Sequence, residues 1–190
     1  MTPRRGVPFE RSVLLPSLWS DPARVRPGYD PSLPRAVRLA SVALHSAGGP
    51  LPGPLDANDL VWMERLGDPD AYRRFVHFVG AWHMARRLRA CTGSMLLRDV
   101  SAIIGRDALL AVLRAGASSC DATPALDIDA VRVVGMARLM ASLAPHAARC
   151  IAVRHGSEND GVRVARGHSR DPDGEAALER LWLVFNGASA

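Results

Sequence analysis

Residues 59–116 read DLVWMERLGDPDAYRRFVHFVGAWHMARRLRACTGSMLLRDVSAIIGRDALLAVLRAG, and this stretch decides the fold. It carries Trp62, Met63, Leu66, Phe75, Phe78, Val79 and Trp82, then Leu88, Leu96, Leu97, Val100, Ile103 and Ile104. It closes with Leu109, Leu110, Val112 and Leu113. Apolar residues three and four apart mark helices whose stripes face a common core. Asp68-Pro69 starts one of these helices, with Asp68 as N-cap and Pro69 at the first helical position. At about 100° per residue, Phe75, Val79, Trp82 and Arg86 share a face, flanked by Tyr72, Phe78, Arg89 and Ala90. Arg73, His77, Met84 and Arg87 fall opposite. Arg86 and Arg89 lie along the apolar stripe, so either the helix runs past the core or a carboxylate such as Asp99 pairs with one of them.

On either side of these helices the punctuation is dense. Asp56, Asn58 or Asp59 is placed to cap a helix that ends at Gly67. Cys91-Thr92-Gly93 ends the helix begun at Pro69. Ser94 to Ile104 and Arg106 to Ala115 follow, with Gly105 between them, and Ala117 to Pro124 is a loop. Leu126 to Leu143 is apolar nearly all round and predicts a helix buried on most sides. Asp127 and Asp129 sit at its start, where carboxylates favour the helix dipole.

Arg149 to His155 alternates, and Val162 to Val164 repeats that period, which predicts a β-hairpin. Gly167 to Gly174 reads as a mobile loop, and Glu175 to Phe185 as a last amphipathic helix using Leu178, Leu181, Trp182 and Phe185. Upstream, seven of the 14 prolines fall within residues 1–34 and predict an extended arm, with Trp19 as its apolar pin or partner anchor. Arg35 to His45 reads as a short helix before a Gly/Pro-rich break at 48–54. The expected organisation is one mainly α domain over 1–190: an arm (1–34), a helical core (35–146), and a hairpin, loop and C-terminal helix (147–190).

The chain is basic, with a net charge of +5, and all 24 basic residues are arginine. They are spread along the sequence without a run of five or six. A basic surface for acidic protein partners is therefore at least as consistent as nucleic acid. Asp107 to Leu113, read as a recognition helix, offers almost no side chains for base edges. No apolar run approaches the roughly 20 residues needed to cross a bilayer, and no apolar segment follows Arg4 and Arg5, so the cytoplasm is expected.

Chemistry-bearing motifs are missing. There is no Walker A, GxGxxG or GxSxG sequence, and no HExxH or His/Cys quartet among the six histidines. His77 and His83 face different directions on one helix. Cys91, Cys120 and Cys150 have no metal or redox spacing and read as core residues. No catalytic residue, cofactor or metal site is expected.

Three stretches resemble the SctK family (also YscK, PscK, MxiK or OrgA) of bacterial type III secretion systems. The first is Leu14-Leu15-Pro16-Ser17-Leu18-Trp19. The second is Leu60 to Leu113, with Arg65-Leu66-Gly67, Ala85-Arg86-Arg87-Leu88, Leu97-Arg98 and Ile104-Gly105. The third is Gly135 to Pro145 leading into Arg149 to Arg154, which is similar to the family's small-residue helix followed by a short strand.

The resemblance implies a mostly helical, non-enzymatic cytosolic adaptor of the injectisome's sorting platform. Such an adaptor bridges the cytoplasmic domain of the inner-membrane ring protein SctD to the spoke protein SctQ, and through it the export ATPase complex. It takes no small-molecule substrate, and meets the membrane only through the ring. Trp19, Arg73, Arg74, Arg87 and Trp182 are the partner-binding candidates, since buried aromatics and arginines anchor protein interfaces. The alternative is a small basic helical protein that binds nucleic acid or acts as a regulator.

Overall fold

The computed structural model describes residues 57–91, 94–116, 126–144, 147–148, 151–152, 155 and 172–187. The arm with Trp19, the helix over Arg35 to His45, and the second hairpin strand lie outside the described residues. The described chain is mainly α. Its helices are α1 (Ala57–Arg65), α2 (Pro69–His83), α3 (Ala85–Ala90), α4 (Met95–Ile104), α5 (Arg106–Ala115), α6 (Ile128–Ser142) and α7 (Pro172–Gly187). They divide into two compact units, one holding residues 57–67 with 147–155, the other everything else described.

In the first unit α1 buries Trp62, Met63 and Leu66. The Leu66 carbonyl, left without an intrahelical partner at the helix end, accepts a hydrogen bond from His155 Nε2 at 2.7 Å. Ala147, Ala148, Ile151 and Ala152 are all buried, and the four are helical. This corrects the strand expected from Arg149 to His155. Positions 147, 148, 151, 152 and 155 step by one, three, one and three, the period of a helix stripe. The β-branched alternation of Ile151 and Val153 is a weaker signal than that stripe.

In the second unit α2 is the centre. Asp68 caps it, accepting from the backbone N–H groups of Asp70 at 3.0 Å and Ala71 at 2.8 Å. Pro69 takes the first helical position, as the sequence predicts. Every residue from Phe75 to Ala81 is buried, so the helix has no solvent side there. Of the residues opposite the aromatic stripe, His77 and Met84 are buried as thoroughly as the stripe itself, while Arg73 is exposed. One flank packs on α7, where Phe75 meets Trp182 edge-on at 4.9 Å and Phe185 at 5.5 Å, and Phe78 meets Phe185 at 5.3 Å. Tilted and edge-on aromatic pairs of this kind add to the burial itself.

The other flank packs on α6, the most extensive helix pairing of the unit. Two glycines decide how close it is. A Cβ on Gly80 would overlap the Val131 carbonyl and stand 3.0 Å from the Gly135 nitrogen. A Cβ on Gly135 would overlap the Val76 carbonyl and stand 2.8 Å from the Gly80 nitrogen. The two backbones therefore touch, each glycine presenting a Cα–H where any other residue would put a methyl. Asp127 fixes the start of α6 by accepting from the Ala130 N–H at 2.7 Å. As expected, α6 is buried on most sides, with Arg132, Val133 and Arg138 exposed along it.

The helix begun at Pro69 does not run unbroken to Ala90. Met84 leaves helical geometry with φ −103° and ψ 11°. The Gly80 carbonyl still accepts from the Met84 N–H, and the Met84 carbonyl from Leu88, each at 3.0 Å. The result is a bend and not a stop. Pro172 opens α7, so helix replaces the last three residues of the loop expected over Gly167 to Gly174. Proline suits the first turn, and Asp173 and Glu175 favour the dipole there.

Gly80→Ala and Gly135→Ala should each lower stability by about 3 kcal/mol or more, since backbone and not a mobile side chain stands in the way. Gly187→Ala, with open space around its Cβ, should stay within about 0.5 kcal/mol. Urea unfolding of the three variants checks this.

Candidate protein-docking surface

α4 and α5 form a corner against α2. Ser94 starts α4 by accepting from the Leu97 N–H at 3.4 Å. A single residue, Gly105, separates the two helices. Its φ of 92° with ψ 155° is open essentially only to glycine. A DNA-reading helix-turn-helix joins its helices by three or four residues, so this corner is a different arrangement. Val100, Ile104, Ala108, Leu109 and Val112 face inward.

Arg89 locks the far end of the corner. Its Nε donates to the Leu113 carbonyl at 2.7 Å and its Nη2 to the Gly116 carbonyl at 2.9 Å. The guanidinium thus satisfies two carbonyls beyond reach of the α5 ladder and sits at the negative end of its dipole. Arg86 and Arg89 are exposed, as the reading of a helix that runs past the core expects, and the partner of Arg89 is a helix terminus, not Asp99.

The partner-binding candidates fall in different places. Arg73 is exposed on α2. Arg74 is half-buried, with its guanidinium carbon 5.4 Å from the centre of the Phe185 ring. Trp182 is half-buried too, 5.8 Å from the same ring. Phe185 therefore brings Arg74 and Trp182 together, and both contribute to packing inside the unit. Arg87 sits half-buried on α3, some 20 Å further along the chain at about 1.5 Å per helical residue. Trp19 is outside the described residues.

Sequence reasoning missed the exposed apolar side chains. Met95 is 74% exposed, Leu183 63% and Leu110 37%, with Val133 and Val184 also open. Leu110 had been counted in the core; only its neighbours Leu109 and Val112 are there. The signal was present in part, because residues 108, 109 and 112 define the buried stripe of α5 and 110 falls off it.

Two histidines are perturbed. His77, 5% exposed, donates from Nδ1 to the Arg73 carbonyl at 2.7 Å. Burial pushes its pKa down, helped by the charges of Arg73 and Arg132 and opposed by the hydrogen bond to the Arg73 carbonyl and by Asp129. Burial, with Arg138, holds His83 lower still, at about 4. Among the described residues no three His, Cys, Asp or Glu side chains gather to hold a metal ion, and no helix is long and apolar enough to cross a membrane. Cys91 is a half-buried free thiol.

Comparison with known proteins adds no relative: no family model, curated protein or solved structure matches the chain.

The histidines give the fold a pH dependence with a definite sign. Above about pH 6.5 both are neutral whether the chain is folded or not. Below it the unfolded chain takes up protons that the folded chain refuses, so stability falls as pH drops towards about 4. The melting temperature should fall between pH 7 and pH 5, and His83→Gln should fall less over the same interval.

Proposed function

We propose that this chain is a non-enzymatic adaptor of a bacterial type III secretion system. It links the cytoplasmic domain of the inner-membrane ring protein, SctD, to the spoke protein of the sorting platform, SctQ, at the cytosolic face of the inner membrane. Through the spoke it supports the export ATPase and so protein export. The work is docking, without substrate or turnover.

The observation that carries this reading is where the residues of the resemblance fall in the fold. Leu66-Gly67 closes α1 against His155, Ile104-Gly105 makes the α4–α5 corner, and Gly135 sits in the contact with Gly80. That these three stretches sit at joints of the helical scaffold supports a reading in which shape and not chemistry is shared. The mainly α character of the described residues agrees with it. Exposed Met95 and Leu110, on helices studded with arginine, are the kind of anchor a protein partner covers.

A pull-down of the tagged full-length protein from its native host under secretion-inducing conditions tests the proposal. The spoke and inner-ring proteins should be enriched together by mass spectrometry. Recovery of neither, with nuclease-sensitive nucleic acid in their place, overturns the adaptor reading in favour of nucleic-acid binding.

A further inference from the structure

Charge is not evenly spread over the second unit. The helices α3, α4 and α5 carry six arginines, Arg86, Arg87, Arg89, Arg98, Arg106 and Arg114, against two aspartates, Asp99 and Asp107. The remaining described residues of the unit carry five arginines and seven carboxylates. Positive charge is therefore concentrated along α3 to α5 on an otherwise slightly acidic body. Half of these arginines lie on α3, and α4 and α5 themselves carry Arg98, Arg106 and Arg114 against Asp99 and Asp107. Arg89 is occupied in capping α5. Arg98, Arg106 and Arg114 are exposed, with no carboxylate paired to them among the described residues.

Each of α4 and α5 has an exposed edge along its length. On α5, Arg106, Leu110 and Arg114 stand four apart and form one outer edge, opposite the buried Ala108, Leu109 and Val112. Four helical residues rise about 6 Å, so Leu110 lies midway between two cations about 12 Å apart. On α4, Met95, Arg98, Asp99 and Ala102 form a second exposed edge, on which Arg98 and Asp99 flank the line from Met95 to Ala102. Leu96, Leu97, Ile103 and Leu113 are only half-buried. Gly105 sets the turn between α4 and α5, and the Arg89 cap ties the end of α5 to α3, so little ordering of these helices is needed on binding.

We propose that the outer face of α4 and α5 docks an acidic amphipathic helix of a partner protein. The partner helix lays apolar residues over Leu110 and Met95, while carboxylates on either side meet Arg106, Arg114 and Arg98. The apolar anchors select a protein over nucleic acid, because phosphates need cations but gain nothing from an exposed leucine or methionine. The arginines select acidic helices over neutral ones and speed their encounter. This deepens the adaptor reading by giving one of its partners a chemistry and a place.

The test is fluorescence anisotropy with the full chain and a labelled synthetic helix that has leucine at its centre and glutamates four residues to either side. Controls are the same peptide with lysines for glutamates, and a short DNA duplex. The glutamate peptide should bind at least about tenfold tighter than the lysine peptide. Arg106→Glu with Arg114→Glu should weaken it by about tenfold or more, and Leu110→Asp by a similar factor. Asp107→Arg should tighten it by a few-fold, a gain that misfolding does not produce. Equal binding of the two peptides, indifference to these substitutions, or binding of the duplex alone overturns the proposal. If that happens while the spoke and ring proteins are still recovered from the native host, the surface is wrong and the adaptor reading stands.

Discussion

The second unit depends on one contact, the meeting of the α2 and α6 backbones at Gly80 and Gly135. Helices normally meet through side chains that set them apart; here the side chains are absent at the point of closest approach. Once α6 lies against α2, Val76, Val131 and Val134 are covered, and His77 is shut in with a carbonyl as its partner. Covering this flank leaves the other flank of α2 for α7 and its ring of aromatics. Between Phe75 and Ala81 the central helix is then buried all round, which explains why His77 sits in a core helix while Arg73, one turn earlier, stays exposed.

A second constraint acts at helix ends. The α1 terminus is closed by His155, and the α5 terminus by Arg89, in each case a basic side chain from a distant part of the chain within its unit. These bonds fix where a helix stops and what stands beside it. Both place a proton donor on carbonyls that would otherwise face the surroundings unpaired. They hold the scaffold without adding to its hydrophobic core.

Local chemistry was legible in the sequence. Asp68-Pro69, Ser94 and Asp127 announce helix starts because the cap is a bond between near neighbours. The buried stripes of α2 and α7 follow from spacing alone. What could not be read is non-local. A glycine inside a helix gives no hint of which helix it will touch, so the Gly80–Gly135 contact was invisible. Arg89 finds its carbonyls 24 and 27 residues away. The strand expected at Arg149 to His155 failed because β-branched residues and a helical stripe of alanines compete in the same few positions, and packing chose the stripe. Of the partner-binding candidates, Arg74 and Trp182 proved to flank the same phenylalanine, which spacing along the chain does not reveal.

A glycine-locked helix pair supports an exposed corner of arginines and apolar side chains, the surface proposed for a protein partner. Hydrogen–deuterium exchange on the full chain, alone and with the purified spoke protein and ring cytoplasmic domain, tests it most directly. Amides of α2 and α6 should exchange slowly in both states, and residues 95–114 should gain protection on complex formation. Fast exchange through α2 and α6 in the free chain, or an unchanged 95–114 in the presence of both proteins, would contradict it.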